Sequence, residues 1–199
     1  MTDFWILSAV NGWLKQNGAK GTLPADLALT PVGGAGKMTY MAALLTEQRL
    51  NVFALLDGGR PRSAAGTRPW KAPEPEVDLL RDRGARTAGP EADIEDLLDP
   101  KVYEDLARRA YAKELANVTL KLNDKVPRIV RRFELAFEEK GLTFDKGRPA
   151  RLFMTEMASR PAELVDAATK ARFLKLFSII VMRMTTALAA AARRQGDPG

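Results

Sequence analysis

Asn51-Val52-Phe53-Ala54-Leu55-Leu56, followed by Asp57-Gly58-Gly59, is the stretch on which the fold class turns. It is a short apolar run closed by turn-forming residues, the pattern of a strand buried on both faces. Upstream, Leu27-Ala28-Leu29-Thr30-Pro31-Val32 is a second short apolar run, with Pro31 at its end, where a strand tolerates proline. Gly33-Gly34-Ala35-Gly36-Lys37 then forms a tight loop, and residues 38–48 place Met38, Met41, Ala42 and Leu45 on one helical face. Residues 3–17 read as a helix with Phe4, Ile6, Leu7, Val10, Trp13 and Leu14 inward, stopped by Asn17-Gly18. Helix, strand, helix, strand predicts half of a parallel α/β unit.

Residues 60–90 break the pattern. They hold five of the 12 prolines and six arginines, with little apolar periodicity, and read as irregular. Regular structure resumes at Asp93. Asp99-Pro100 is a helix start, with Asp as N-cap and Pro at the first helical position, for a helix to about Leu115. Further helices are expected from Pro127 to Lys140, over 149–158, and from Ala167 to about Arg193. The expected division is a partial α/β domain over 1–100 and a helical region over 101–199.

The 199 residues include no cysteine and no histidine. Disulfide scaffolds, thiolate zinc sites, cysteine nucleophiles, the Ser-His-Asp triad and imidazole-ligated metals are therefore excluded. Any chemistry rests on carboxylates, lysines, hydroxyls or an oxygen-bound metal. The 31 basic and 25 acidic residues give a net charge of +6. Residues 1–100 carry 11 basic and 13 acidic groups, net −2, and residues 101–199 carry 20 and 12, net +8. An acidic front and a basic back suit a cation in one part and a polyanion at the other, although a solvated basic surface has the same composition. The apolar run from Phe4 to Leu14 is about half the length of a membrane-spanning helix. It lacks a basic leader, so a cytoplasmic protein is expected.

Four groups of residues are candidates for chemistry. Gly33 to Lys37 is not a phosphate loop, because Met38 follows Gly36-Lys37 and Pro31 occupies the first glycine position. No ATP site is expected in this chain. Asp57, at a strand end, is placed to hold Mg²⁺, and equally to cap a turn. Asp93, Glu95, Asp96 and Asp99 are clustered oxygens of the kind hard cations need, or ordinary negative charge at a helix start. Lys125, Arg128, Arg131 and Arg132 recur three or four apart and form a basic stripe suited to phosphates, or a solvated face. Lys146, Arg148 and Arg151 follow.

In order along the chain stand Asp3-Phe4-Trp5-Ile6-Leu7, Thr30-Pro31-Val32-Gly33-Gly34-Ala35-Gly36-Lys37, and Asn51 to Asp57. Ile94-Glu95-Asp96-Leu97-Leu98-Asp99-Pro100 and Arg148-Pro149-Ala150-Arg151-Leu152-Phe153 complete the series. This series resembles the C-terminal Toprim region of the OLD-family (overcoming lysogenization defect) nucleases. It covers nearly the whole chain except 60–90. The resemblance implies an incomplete Toprim-like parallel sheet with flanking helices, followed by a helical C-terminal region. It implies two-metal DNA phosphodiester cleavage with Mg²⁺ or Mn²⁺. DNA and an ABC-type ATPase domain in the same polypeptide are the implied partners, and a homodimer is compatible.

By the same resemblance Asp3, Asp57, Glu95 and Asp96 are metal ligands. Asp57 is also catalytic, with Lys146 as the catalytic lysine, and Lys125, Arg128, Arg131 and Arg132 meet DNA. The chain departs from the family in two places. The family's metal-binding Glu-Gly and its strand would lie before Met1, as in a region truncated at its N-terminus, and Gly59 stands at the second aspartate of Asp-x-Asp. Cleavage weakened or lost is the expectation, and a non-catalytic DNA-binding or protein-interaction remnant is the alternative.

Overall fold

A computed structural model describes residues 2–33, 35–48, 50, 52, 55 and 92–195. Asp57, Gly59 and the 60–90 segment lie outside the described residues.

The described residues form helices: α1 (Thr2–Gln16), α2 (Ala35–Glu47), a 3-10 turn (Ile94–Leu97), α3 (Pro100–Ala110), α4 (Ile129–Glu138), α5 (Gly147–Met157), the short α6 (Pro161–Leu164) and α7 (Ala167–Gln195). None of these residues is in a strand, which corrects the expected α/β Toprim-like sheet. Residues 27–32 have no regular structure, nor have Val52 and Leu55. The physical reason at 27–32 lies in its backbone. Pro31 lacks an N–H, Leu27 N donates back to the Pro24 carbonyl at 3.3 Å in a local turn, and no strand among the described residues supplies a ladder. An apolar run is only a strand when a second strand pairs with it, and here Leu27 and Leu29 pack as single side chains against a helical core.

Apart from the short α6, which is not expected from the sequence, the helices fall near where the 3.6-residue pattern puts them. In α1, Ile6, Leu7, Val10 and Leu14 are buried. Gly18 ends the helix in the left-handed region, φ 66°, and Ala19 N reaches back to the Leu14 carbonyl at 2.9 Å. α3 begins as expected: Asp99 Oδ1 accepts from Lys101 N at 2.9 Å, with Pro100 at the first position. It ends at Ala110, short of Leu115. α4 buries Ile129, Val130, Phe133, Ala136 and Phe137. Gly141, φ 68°, then reverses the chain so that Leu142 N donates to the Phe137 carbonyl at 2.9 Å.

One core joins the two ends of the chain. α1 packs along α5, α5 along α3, and the 3-10 turn touches α1, α4 and α7. The buried apolar set runs from Ile6 through Phe133, Phe137 and Phe153 to Phe173, Phe177 and Ile180. Beside it Tyr111, Phe133, Phe137 and Phe144 form an aromatic cluster. Tyr111 meets Phe137 edge-on at 4.7 Å between centroids, and Phe133 stacks on Phe144 at 5.3 Å. No helix among the described residues is long and apolar enough to cross a membrane.

Candidate functional site: an acid–lysine cluster

Three of the residues singled out in the sequence meet in space. Lys146 Nζ lies 3.2 Å from Asp3 Oδ1 and 3.3 Å from Glu95 Oε1. The three come from the first turn of α1, the 3-10 turn and the residue before α5. Asp3 also accepts from Thr2 Oγ1 at 3.1 Å. Its carboxylate is favoured at a helix N-terminus, where the backbone dipole is positive. Lys146 stands at the N-terminal end of α5, where that same dipole disfavours a cation, so its two carboxylate partners supply the compensation. The Glu95 side chain is fully buried, whereas those of Asp3 and Lys146 are about one-third exposed (35% and 29%). The cluster therefore has a buried acidic end and a wet, mixed-charge end.

Asp96 does something else. Its Oδ2 accepts from Asp93 N at 2.8 Å and its Oδ1 from Ile129 N at 2.9 Å. It thus closes the 3-10 turn and serves one of the orphan N–H groups that open α4. Burial pushes its carboxyl above the ordinary carboxylate value, against these two N–H donors, which favour the charged form. Asp93, also buried, is held by a two-point ion pair: Arg128 Nε to Oδ2 at 2.8 Å and Nη2 to Oδ1 at 2.7 Å. Asp99 caps α3. The four acids are thus divided: Asp96 and Asp99 accept from backbone N–H groups, Asp93 is clamped by Arg128, and Glu95 faces Lys146.

This donor set does not fit a pair of divalent cations. Both Asp96 oxygens are taken by backbone donors, a lysine ammonium stands against Asp3 and Glu95, and no group of three or more carboxylates among the described residues is arranged to hold a metal. Hard cations need several charged oxygens converging on one point.

The basic stripe is divided as well. Arg128 faces Asp93. Arg132 folds back, with Nε donating to the Val126 carbonyl at 2.6 Å and Nη1 to Asp124 at 3.0 Å. Arg131 lies at the surface beside Glu134 at 2.9 Å, and Lys125 is exposed. Of the four, Lys125 and Arg131 are the exposed ones, Arg131 within a surface ion pair.

Sequence reasoning did not single out Tyr103. Its ring is buried against Phe133, and its hydroxyl has no hydrogen-bond partner among the described residues. Burial, then the nearby charges of Glu95, Asp93 and Asp96, push its ionisation far above the ordinary tyrosine value, so it stays a neutral phenol. An unsatisfied buried hydroxyl costs about 1–3 kcal/mol. Tyr103→Phe is accordingly expected to raise the urea midpoint without changing the slope; a fall in the midpoint would show that the hydroxyl is satisfied.

Compared with known protein families, with curated proteins and with solved structures, the chain matches none.

Proposed function

We propose that this chain is a DNA-binding region derived from a nuclease of the OLD family, in which the cluster of Asp3, Glu95 and Lys146 is the vestige of the cleavage centre and no longer cuts. One observation carries the reading. Of the residues that the resemblance named separately as two metal ligands and a catalytic lysine, 143 positions apart at their extremes, Asp3 and Glu95 each lie within ion-pair distance of Lys146. An ordinary surface ion pair does not require a fully buried glutamate beside the lysine. Loss of cleavage is supported by the occupied oxygens of Asp96, by the ammonium against Asp3 and Glu95, and by Gly59 in place of an acid. A two-metal clamp on the attacking and leaving oxygens needs more carboxylates than these.

DNA binding is supported by the net charge of +6 and by its concentration after residue 100. Supercoiled plasmid with Mg²⁺ or Mn²⁺ is the test. The chain is expected to leave the plasmid intact while binding duplex DNA in a salt-dependent way. Lys125→Gln and Arg131→Gln are each expected to lower the log-log salt slope by about 0.9, one phosphate contact, whereas Arg132→Gln leaves it unchanged. Robust metal-dependent cutting would overturn the non-cutting assignment. An affinity indifferent to salt would overturn DNA binding.

A further inference from the structure

We propose that Arg128 and Tyr111 are positioning residues of the acid–lysine cluster, one fixing Glu95 and the other fixing Lys146. This rests on the cluster being the vestige of a cleavage centre, but the geometry can be measured whatever the cluster once did.

Glu95 sits on a four-residue 3-10 turn. Such a turn has little stability of its own, because the hydrogen-bond geometry is poor and few bonds repay the ordering of its backbone. Its direction must come from outside. Arg128 grips Asp93, immediately before the turn, with two parallel bonds of 2.8 and 2.7 Å. A guanidinium fork fixes the plane of the carboxylate as well as its distance, which a single ammonium does not. The far end is tied by Arg172, whose Nε donates to the Leu97 carbonyl at 2.6 Å. Between these two ties, Glu95 is directed at Lys146.

Lys146 has a flexible stem, so its ammonium is only as well placed as the backbone that carries it. That backbone is pinned one residue earlier. Asp145 N donates to the Tyr111 hydroxyl oxygen at 2.6 Å, and that hydroxyl donates to the Asp145 carbonyl at 3.2 Å. The Tyr111 ring is held in turn by the Arg148 guanidinium, 3.8 Å above its centroid, and by the edge of Phe137. Arg128 thus differs from its neighbour Arg131 in kind: one is a clamp on a buried acid, the other a surface cation.

The NMR signal of the Lys146 side-chain ammonium in the full chain, identified by its loss in Lys146→Ala, reports this geometry. Arg128→Lys keeps the charge but not the fork, and Tyr111→Phe keeps the ring but not the hydroxyl. Each is expected to move the Lys146 signal toward those of exposed lysines while helix content is kept; Arg128→Gln is expected to move it further. Arg131→Gln is expected to leave it in place. An unmoved signal in both Arg128→Lys and Tyr111→Phe would overturn the proposal. So would an Arg128→Gln chain that keeps the signal but loses about 0.9 from its salt slope on DNA, the mark of a phosphate contact. Failure of the nuclease-derived reading shows itself separately, as absent DNA binding with the Lys146 signal still responding to these substitutions.

Discussion

Arg128→Ala is expected to cost about 3–5 kcal/mol, the range for removing one partner of a buried ion pair. The Asp93 side chain is fully buried and that of Arg128 is three-quarters covered. Without the guanidinium the carboxylate keeps its desolvation penalty and loses the charge that offsets it. The substitution also loosens the turn that bears Glu95, so stability and the cluster's geometry fall together. A total stability of about 5–15 kcal/mol leaves little margin for such a loss. Chemical denaturation checks it: a loss under about 1 kcal/mol, the size of an exposed pair, would mean that Asp93 is solvated. Replacing both partners with apolar residues is expected to cost less than Arg128→Ala alone, since no buried charge is then left unmatched.

Phe137→Ala carries the second large effect, about 3–5 kcal/mol for a large cavity in the core. Phe137 is fully buried and touches Tyr111 and Phe144 edge-on, at 4.7 and 5.1 Å between ring centroids. It is also the residue whose carbonyl accepts the bond that closes α4. Its loss removes ring packing from Tyr111, so the consequence reaches the pin on Asp145. By contrast Arg131→Ala, on the exposed face of the same helix, is expected to change stability by less than about 0.5 kcal/mol. Equal losses for the two variants in a urea titration would contradict the assignment of Phe137 to the core.

The helices were legible because amphipathic periodicity and caps are local. Asp99-Pro100 and Asn17-Gly18 mark ends that the structure also uses. The strand expected at 27–32 failed for a non-local reason: its leucines pack, partly buried, against a helical core, with no strand among the described residues to bond. In the other apolar run, the described residues Val52 and Leu55 are likewise outside any strand. The site was legible in part. Asp3 and Glu95 stand in the ordered motifs, Lys146 is implied by the resemblance alone, and the two carboxylates each lie within ion-pair distance of that lysine. Asp96 and Arg128 looked like a metal ligand and a phosphate contact because an acidic run and a basic stripe are visible in sequence. Their partners, Ile129 N and Asp93, lie 33 and 35 positions away and leave no local pattern. Tyr111 carried no signal at all, since its role depends on α3 ending beside the start of α5. Asp57 lies outside the described residues.

The most direct measurement is the binding of Mn²⁺ to the wild-type chain and to Lys146→Ala, followed by loss of the free-ion electron paramagnetic resonance signal. If Asp3 and Glu95 are the remains of a metal centre with a lysine now lying against them, the wild-type chain takes up little Mn²⁺. Lys146→Ala, with two neighbouring carboxylates no longer matched by that ammonium, then binds it measurably more tightly, and Lys146→Ala/Glu95→Gln loses the gain. Two charged ligands make a weak site, so dissociation constants of the order of 10⁻⁴–10⁻³ M are expected for the single variant. Identical Mn²⁺ uptake by the wild-type chain and Lys146→Ala would contradict the assignment and leave the three residues as a structural ion pair.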